Sequence, residues 1–486
     1  MTGRPFVFLP RPLPASGRRD DSRQMLPPFD PWFTGTVAAD VWSASRDSAE
    51  ALAARQARRL RQLLAAAAEG SPLYRRILGT ADPASIPLSA LPVARKATLM
   101  QHFDDWVADP ALRLDELRRF TADRSNIAEP YLGRYMVWES SGSSGEPGVF
   151  VQDAAAMAVY DALEGLRRPA IPAWHAWADP WLTGQRIAFV GAIGGHFASI
   201  VSIERVRRLN PSFAHNVHCL SFLQPIDQLV AELRALQPDV LASYPTEALL
   251  LAQEQREGRL DLHLQQVWTG GETLTPAMRH GIGRGFGCQV HNSYGASEFL
   301  ALASECGHGR MHLNTDWFIL EPVDGRGHPV PAGRPSATTL LTNLANHVQP
   351  VIRYDLGDRV TLAAEPCACG SPLPLVEVQG RRDDTLHLPG IRRRHVPVPP
   401  LAISTVLEDE AGLFDFQLRQ QGPSDLLLCT GQRGGDASRR LRRAREALAG
   451  FLATQGVAPM HIHCRSGEPG RRGRSGKIPR VIAARE

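Results

Sequence analysis

Long hydrophobic runs, cysteines and lysines are scarce in this sequence, and each shortage excludes a class of protein. No stretch approaches the ~18 consecutive apolar residues of a membrane-spanning helix. Seven cysteines are too few to form a disulfide scaffold in a chain of 486 residues. Prolines interrupt the short apolar run near the start, so the sequence has no signal-peptide core there. We therefore expect a reduced, cytoplasmic protein with no membrane partner.

Charge is nearly balanced overall but uneven along the chain. The 54 basic and 50 acidic residues give a formal charge of +4, yet 19 basic and only 11 acidic residues follow Gly380. Such a surplus attracts polyanions such as nucleotide phosphates, although a solvated arginine-rich helix face has the same pattern. Only Lys96 and Lys477 are lysines, so a lysine at a position where chemistry requires one is informative.

Composition divides the chain into three parts. Residues 1–45 are rich in proline, arginine and aspartate and are predicted to form an irregular N-terminal extension. Residues 46–380 are predicted to form a large domain, and residues 381–486 a small, mobile α+β lid domain, with the boundary at 380–383. The apolar fraction of 43% is enough for a full core, which excludes a mainly disordered protein.

Alternating helical and strand patterns between residues 225 and 295 predict an α/β fold. Short apolar strands follow amphipathic helices there, for example at 240–242 and 267–269. This repetition predicts a mostly parallel sheet covered by helices, with ligands at the carboxyl ends of the strands. From residue 316 to 378, alternating apolar and polar positions between Gly/Pro turns predict an antiparallel, barrel-like piece.

The strongest local signal is a Ser/Gly-rich loop after a predicted strand. Residues 139–147 read Glu-Ser-Ser-Gly-Ser-Ser-Gly-Glu-Pro. Such a loop exposes backbone N–H groups and hydroxyls in a small concavity that fits a phosphate. It lacks the lysine of a GxxxxGK[ST] loop and the spacing of a GxSxG nucleophile. Taken alone, the pattern is also typical of a flexible turn.

Five further fragments follow in order along the chain. They are Gly270–Glu272, Asn292–Glu298, Arg353–Asp358, Gly380–Asp384 and Ser475–Arg480. Each fragment alone is common in loops, but the occurrence of all five fragments in this order in one chain is improbable by chance.

The combined pattern resembles the adenylate-forming superfamily of acyl-CoA synthetases, peptide-synthetase adenylation domains and luciferases. It is most similar to the phenylacetate–CoA ligase branch, over roughly residues 50–486, and the likeness includes Leu91–Lys96, Ser71–Tyr74 and the segment at Cys367. The resemblance implies ATP-dependent activation of a carboxylic acid, an aryl or arylacetic one, to an acyl-adenylate and pyrophosphate. Transfer to a thiol, most often that of CoA, would follow, and both steps depend on positioning and charge neutralisation.

The resemblance also implies roles for individual residues. Ser297 would contact the α-phosphate, Glu298 would bind Mg²⁺, and Lys477 would neutralise the charge that develops during adenylation. Tyr294 would pack on adenine, and Asp358 would accept hydrogen bonds from the ribose hydroxyls. The implied ATP-binding set is Ser140, Ser141, Gly142, Ser143, Ser144, Gly145, Gly271, Glu272, Tyr294, Gly295, Asp358 and Arg381.

The resemblance also predicts a hinge residue and shows one departure in charge at the Ser/Gly loop. Asp383 corresponds to the hinge about which the small domain rotates between the two half-reactions. Many relatives place a lysine after the Ser/Gly loop, where this chain has Glu146. A carboxylate beside a triphosphate repels it unless the side chain points outward or supports Mg²⁺.

The resemblance places the carboxylic acid in an aromatic pocket. The pocket would be formed by Phe197, Tyr244, Trp268 and Tyr294, with His196 facing the acyl or thiol channel. Aromatic lining favours an aryl acid, although Trp and Tyr at strand ends are also typical of an ordinary core.

A second site is indicated by three cysteines and a histidine. Cys306, His312, Cys367 and Cys369 supply the three thiolates and one imidazole that tetrahedral Zn²⁺ accepts, and some members of the similar branch have a structural metal of this kind. His308 is an alternative ligand, and free thiols in loops are the alternative interpretation.

Other functions stay open. The acceptor could be a carrier-protein thiol or an amine, because residues 391–396 depart from the Asn-rich turn of relatives. Glu146 leaves open a degenerate, noncatalytic nucleotide-binding protein. Nucleic-acid binding through the basic tail ranks last, since the basic surplus is modest. The sequence does not decide which acid is used, or whether the chain forms a homodimer.

Overall fold

The computed structural model describes most of the chain. The described residues are 26–140, 147–168, 184–272, 274, 276–378, 386–392, 395–398, 400–413, 416–468, 470 and 481–483. Among the helices within these ranges, none has both the length and the apolar character needed to cross a membrane.

Helix starts follow ordinary capping rules. The Ser48 side chain accepts a hydrogen bond from the Ala51 N–H and begins the predicted helix that ends at Gly70. In chain order, the α-helices of the described residues are α1 (Pro31–Ala44), α2 (Ala49–Gly70), α3 (Pro72–Leu78), α4 (Lys96–Gln101), α5 (Phe103–Trp106), α6 (Leu114–Ala122), α7 (Ala154–Arg167), α8 (Ala198–Leu209), α9 (Pro211–Asn216), α10 (Ile226–Leu236), α11 (Pro245–Arg256), α12 (Pro276–Phe286), α13 (Pro400–Ala411) and α14 (Gly435–Thr454). Single 3₁₀ turns occupy Leu88–Ala90 and Arg124–Asn126.

The strands of the described residues are short, and all of them belong to sheets of two to seven strands. In the same ranges they are β1 (Met136–Glu139), β2 (Val149–Gln152), β3 (Ile187–Gly191), β4 (Val217–Ser221), β5 (Val240–Ser243), β6 (Gln266–Thr269), β7 (Gln289–Ala296), β8 (Phe299–Glu305), β9 (Met311–Leu313), β10 (Phe318–Val323), β11 (Thr338–Asn343), β12 (Tyr354–Asp355), β13 (Val360–Leu362), β14 (Val376–Val378), β15 (Leu386–Pro389), β16 (His395–Val398), β17 (Gln417–Gly422), β18 (Asp425–Thr430), β19 (His461–Ser466) and β20 (Val481–Ile482).

Helix α1 shows that the prediction of an irregular extension over residues 1–45 is wrong for its last part. The Asp30 carboxylate accepts hydrogen bonds from the N–H groups of Trp32 and Phe33, and Pro31 occupies the first helical position. Both features favour a helix start, and they outweigh the proline-rich composition of the segment. Residues 1–25 are not among the described ones.

The central sheet has the predicted parallel arrangement. Its strand order is β4-β3-β5-β6-β7-β8-β9, and all pairs from β4 to β7 are parallel. The pairs β7–β8 and β8–β9 are antiparallel, so the sheet continues into a hairpin at one edge. The carboxyl ends of β5, β6 and β7 therefore meet at one edge of the sheet, where ligands bind in such folds.

The strands β10–β14 pair antiparallel with one another, as predicted for residues 316–378. One sheet has the order β10-β11-β12, and β13 pairs with β14. A parallel bridge joins Ala94 to Tyr354 of β12, so a segment from far upstream completes the edge of this sheet.

The C-terminal region is α+β, which agrees with the predicted class. A β15–β16 hairpin is followed by a sheet of order β19-β18-β17-β20 with α13 and α14. The predicted boundary at 380–383 lies in a part that the structure does not describe, so it stays a prediction.

Two large apolar clusters form the core. The first joins α1–α7 with the β1–β2 pair and the strands β8–β14. The second joins the parallel strands and helices α10–α12 with the C-terminal sheet and its helices. The C-terminal region thus shares apolar packing with the parallel sheet.

Candidate active site

The two ends of the Ser/Gly loop are held together. Strand β1 ends at Glu139 and pairs antiparallel with β2. The Ser140 N–H donates to the Gly148 carbonyl, and the Gly148 N–H donates to the Ser140 hydroxyl oxygen, each at 2.8 Å. The Ser140 hydroxyl therefore closes the loop. The predicted phosphate-binding residues Ser141, Gly142, Ser143, Ser144 and Gly145 lie outside the described ranges.

Strand β1 links this loop to two other predicted fragments. The Trp138 indole N–H donates to the Ser297 carbonyl at 2.8 Å, and the Glu139 N–H donates to the His196 carbonyl at 2.7 Å. The Glu139 carboxylate accepts a hydrogen bond from the Thr121 hydroxyl at 2.5 Å, while burial raises the pKa of Glu139. The loop, the turn at Ser297 and the segment at His196 are thus neighbours.

The turn between β7 and β8 presents the predicted catalytic carboxylate. The register shifts between Tyr294 and Ala296, and a Cβ at Gly295 would lie 2.0 Å from the Leu300 carbonyl oxygen, so only glycine fits. Glu298 follows this bulge and is 9% exposed. The close backbone approach at Gly295 sets the direction in which the turn leaves the sheet.

Two predicted nucleotide-binding residues are in direct contact. The Tyr294 hydroxyl donates to Asp358 Oδ2 at 2.8 Å across 64 residues of sequence. The Thr339 hydroxyl donates to the Asp358 carbonyl at 2.7 Å, which holds the backbone of this segment beside β11. The Asn292–Glu298 and Arg353–Asp358 fragments therefore converge at one place.

The burial of the Glu298 carboxyl and the carboxylate close to it favour a bound cation at this place. Burial is the main cause that raises the pKa of Glu298, and the nearby Asp358 carboxylate adds to it. The Tyr354 hydroxyl donates to Glu298, and the positive charge of Lys96 also favours the ionised carboxylate. A divalent cation beside Glu298 and Asp358 would stabilise both carboxylates.

The Gly270–Glu272 fragment follows β6 and lies against Tyr244. Gly271 has φ +79°, and a Cβ there would lie 3.0 Å from the Tyr244 ring. The Tyr244 ring packs edge-on against Phe222 at 5.8 Å. One turn into α11, Glu247 is 3% exposed, and burial with the nearby Glu272 carboxylate raises its pKa to about 8.

The residues of the predicted acid pocket do not share one apolar cluster, and Tyr294 packs against the first large cluster. Phe197 and Tyr244 pack against the second large cluster. Trp268 belongs to a small separate cluster with Ile187, Val217 and Val240. Neighbouring residues of a strand face opposite sides of the sheet, so Trp268 and Tyr244 pack in different clusters, and the role of Trp268 in the acid pocket stays a prediction.

His196 is buried, with 2% of its surface exposed, and its ring lies 5.8 Å from that of Phe120. Burial lowers the pKa of His196, so its imidazole is neutral near pH 7. The His196 carbonyl accepts the hydrogen bond from the Glu139 N–H, so this residue lies beside the start of the Ser/Gly loop.

The cysteines and histidine of the predicted metal site come together. The ligand atoms of Cys306, His312, Cys367 and Cys369 all lie within 4.8 Å of one another. Cys306 Sγ and Cys367 Sγ are 3.8 Å apart, and Cys369 Sγ lies 3.3 Å from His312 Nε2. His312 Nδ1 lies 2.9 Å from the Leu373 carbonyl oxygen, which leaves Nε2 facing the thiols.

The structure says nothing of Arg381, Asp383 or Lys477, because residues 379–385 and 471–480 are outside the described ranges. Their predicted roles stay predictions.

Several side chains at this site had no predicted role. Lys96, Tyr354 and Glu139 all lie beside predicted residues, and Glu247 lies beside Glu272. The scarcity of lysine and the resemblance of Leu91–Lys96 to the similar family were the two sequence signals that pointed to Lys96.

Known proteins resemble this chain along most of its length. A phenylacetate-coenzyme A ligase of Thermus thermophilus is 26% identical over 397 residues, which cover 77% of this chain and 80% of that protein. A phenylacetate-coenzyme A ligase of Pseudomonas putida is 28% identical over 173 residues, which cover 34% and 39% of the two chains. The chain is therefore similar to phenylacetate–CoA ligases, and in the first of these the similarity covers most of both chains. No protein-family model matches it.

A solved structure shares the fold. The structure of 2-hydroxyisobutyryl-CoA ligase with 2-HIB-AMP and CoA in the thioesterification state has a TM-score of 0.56 and 20% identity, and the match covers 91% of each chain. The predicted fold class, that of the adenylate-forming CoA ligases, is therefore confirmed.

Proposed function

We propose that this protein is an AMP-forming acid–CoA ligase. A carboxylate oxygen attacks the α-phosphorus of ATP, pyrophosphate leaves, and the CoA thiol then attacks the acyl carbon and displaces AMP. The homology to phenylacetate–CoA ligases supports this class of reaction. The observation on which the site assignment rests is the contact between Tyr294 and Asp358 beside the buried Glu298.

The described residues suit the nucleoside part of ATP. Asp358 offers a carboxylate for the ribose hydroxyls, and Tyr294 presents its ring and hydroxyl next to it. Gly271 and Glu272 follow β6, at the carboxyl edge of the parallel sheet where nucleotides bind in such folds. Gly295 keeps the backbone of β7 close to β8 and so fixes the position of Tyr294.

Magnesium would be held by Glu298. Its carboxylate is buried beside a second carboxylate, and this arrangement favours a hard divalent cation. The ion would neutralise charge on the phosphates during adenylation, while Ser297 lies beside Glu298 in the same turn.

Three residues complete the proposal by resemblance. Lys477 would neutralise the α-phosphate and the carboxylate, Arg381 would lie near the ribose, and Asp383 would be the hinge. The hydroxyls and N–H groups of Ser140–Gly145 would receive the leaving phosphates.

The acid would bind near Phe197 and Tyr244. These aromatic side chains lie on one side of the parallel sheet, together with Phe222. Their rings favour an aryl or arylacetic acid over a small aliphatic one. Trp268 packs in a separate small cluster, so the proposal relies on Phe197 and Tyr244.

Zinc is proposed for the cluster of Cys306, His312, Cys367 and Cys369. Three sulfurs and one imidazole nitrogen match its preferred tetrahedral ligands, and the exposed His308 is not part of this cluster. The ion would tie the end of β8 to the loop at Cys367 and would be structural.

Two alternatives make different predictions. Transfer to a carrier-protein thiol or an amine would give adenylation without CoA-dependent release of AMP. A noncatalytic nucleotide-binding protein would bind ATP but catalyse neither step.

The deciding experiment is acid-dependent exchange of labelled pyrophosphate into ATP over a panel of aryl, arylacetic and aliphatic acids. Exchange with an aryl acid, followed by thioester formation when CoA is added, is expected. A Glu298→Gln variant should lose exchange. Folded wild-type protein that is silent with every acid would refute the proposal.

A further inference from the structure

A segment from the first hundred residues reaches the candidate active site as an added strand. The Ala94 N–H donates to the Arg353 carbonyl at 3.0 Å, and the Asp355 N–H donates to the Ala94 carbonyl at 2.9 Å. These bonds extend the β10-β11-β12 sheet by one strand position. Lys96 follows two residues later, at the start of α4.

Arg353 fixes this segment from the other side. It adopts the left-handed conformation, with φ +47°, and its guanidinium donates to the carbonyls of Ser89 and Leu91. The same guanidinium donates to the Glu321 carboxylate at 3.2 Å. A non-glycine residue at positive φ is strained, and here several hydrogen bonds offset the strain. The position of Lys96 is therefore set by the nucleotide-binding fragment itself.

The Lys96 side chain then lies against the far end of the Ser/Gly loop. A Cβ at Gly148 would be 3.2 Å from Lys96 Cδ, so the lysine stem runs directly over this glycine. Further along α4, Met100 Sδ accepts a hydrogen bond from the Val149 N–H at 3.5 Å. Helix α4 and the start of β2 are thus packed together, and Lys96 lies at their junction beside Gly148.

The charge of Lys96 also acts on the carboxylate proposed to bind magnesium. Lys96 is one of the groups that favour the ionised form of Glu298, with the Tyr354 hydroxyl. One ammonium group is therefore near both the exit of the Ser/Gly loop, at Gly148, and the Glu298 carboxylate. In the proposed reaction these two places flank the β- and γ-phosphates.

The sequence of the Ser/Gly loop favours a cation from another segment at this place. The Ser/Gly loop itself ends in Glu146 and contains no basic residue, so its side chains add no positive charge to balance a triphosphate. All but two of the Lys and Arg residues are arginine, yet this position has a lysine. A compact ammonium on a flexible stem suits a crowded phosphate oxygen better than the wide fork of arginine.

We propose that Lys96 binds the β- and γ-phosphates of ATP and supplies the positive charge that the Ser/Gly loop lacks. This assignment rests on the proposed function, since it requires ATP at the site. It makes Lys96 a binding residue for the leaving pyrophosphate, distinct from Lys477, whose proposed partner is the α-phosphate.

The test compares ATP with AMP, which lacks the two phosphates in question. Calorimetric titration of Lys96→Met with each nucleotide in excess Mg²⁺ should show ATP affinity reduced roughly ten- to hundredfold, the size expected for a lost charged hydrogen bond. AMP affinity should change by less than about twofold, because the lost contact is absent from AMP. Arg95→Met is the matched control, since it removes the same charge from the exposed neighbouring side chain and should leave both affinities unchanged.

Any other result of these titrations would contradict the assignment of Lys96 to the β- and γ-phosphates. Unchanged ATP affinity in Lys96→Met, with pyrophosphate exchange intact in the wild type, would refute the role of Lys96 and leave the proposed function standing. Equal loss of ATP and AMP binding, or a variant that fails to fold, would assign Lys96 to the architecture of the free protein. Wild-type protein that binds no ATP would refute both proposals.

A second measurement uses the wild-type protein. Lys96 and Lys477 are the only lysines, so reductive methylation followed by peptide mass spectrometry reads each one separately. MgATP should protect Lys96 from methylation, and AMP should not. Labelling of Lys96 that MgATP leaves unchanged, or that AMP reduces equally, would count against phosphate contact.

Discussion

The hydroxyl of Tyr294 holds the carboxylate of Asp358 at the point where the two nucleotide fragments meet. A Tyr294→Phe substitution keeps the ring for adenine and removes only this hydrogen bond. ATP affinity should fall by roughly two- to tenfold, because one hydrogen bond that orients the ribose acceptor is lost. Calorimetric titration with ATP measures the effect.

Tyr135→Phe is a matched control for that substitution. The Tyr135 hydroxyl donates to Asp109 at 2.6 Å, so this variant also breaks one tyrosine–aspartate bond, but away from the proposed site. Its ATP affinity should equal that of the wild type. Similar losses in both variants would mean that the effect of Tyr294→Phe comes from general destabilisation.

Glu247 makes stability depend on pH. Burial and the Glu272 carboxylate raise its pKa to about 8, above the ordinary value of 4.5. As pH rises, Glu247 therefore loses its proton at a lower pH in the unfolded chain than in the folded protein. The contribution of protonated Glu247 to the free energy of unfolding is fully present below pH 4.5 and is lost as pH rises through about 8. The loss is about 1.4 kcal/mol for each pH unit in that window.

Glu247→Gln should therefore melt at nearly the wild-type temperature at pH 5 and several degrees higher at pH 8.5, as thermal unfolding across this range would show. Glu257→Gln, at the other end of α11, is the control. The pKa of Glu257 is lowered by hydrogen bonds from Gln253 and Arg259, so it does not titrate in this range. A Glu247→Gln advantage that is the same at both pH values would contradict this explanation.

Some site residues were predictable from sequence because their motifs are local. Tyr294, Glu298 and Asp358 each lie in a short fragment with a recognisable order of residue types. Lys96 reaches the same place only through the pairing of Ala94 with Tyr354 across about 260 residues, a long-range contact that local pattern does not encode. The role of Glu247 depends on burial, which a single glutamate in a helical pattern does not reveal.

At the level of elements, the Cys/His cluster joins the end of β8 to the loop at Cys367. The purified protein should contain about one zinc per chain, as measured by mass spectrometry of the metal. Removal of the metal, or a Cys369→Ser substitution, should lower the melting temperature by several degrees, because the ligands then lose their common centre.

Cys464→Ser is the control for that experiment, because this exposed cysteine lies in β19, outside the cluster. It should retain the zinc and the wild-type melting temperature. Protein that is metal-free as purified and that gains no stability from added zinc would show that the thiols are ordinary loop cysteines.

Strand and helix patterns predicted the parallel strands between residues 225 and 295 but did not reveal two other features. The parallel strands were predicted because each is a short apolar run between a helix and a turn, as at Val240–Ser243. Helix α1 was missed because composition was given more weight than the Asp30 cap and Pro31. The separation of Trp268 from Phe197 and Tyr244 was not predicted, because aromatic content was considered without the alternation of side chains along β6.

For the whole molecule, the C-terminal region contacts the rest of the chain through both apolar and charged groups. It shares the second apolar cluster, and Asp409 of α13 forms an ion pair with Arg124 at 3.5 Å. The proposed reaction requires this region to bring Lys477 to the α-phosphate for the first step only.

Lys477→Ala should therefore lose acyl-adenylate formation by roughly 10²- to 10³-fold, the usual effect of removing one charge-stabilising donor. Thioester formation from a preformed acyl-adenylate should persist, because that step does not use Lys477. Rapid-quench measurement of the two half-reactions separates them. Equal loss in both steps would contradict a role confined to adenylation.

The pairing of Ala94 with Tyr354 also affects how the chain can be shortened. A fragment that begins after residue 100 would lack the strand position that covers β12, and the exposed edge would offer unpaired backbone groups to other molecules. Such a fragment would also lack α1–α3 and most of α4, which belong to the first apolar cluster, so it should self-associate.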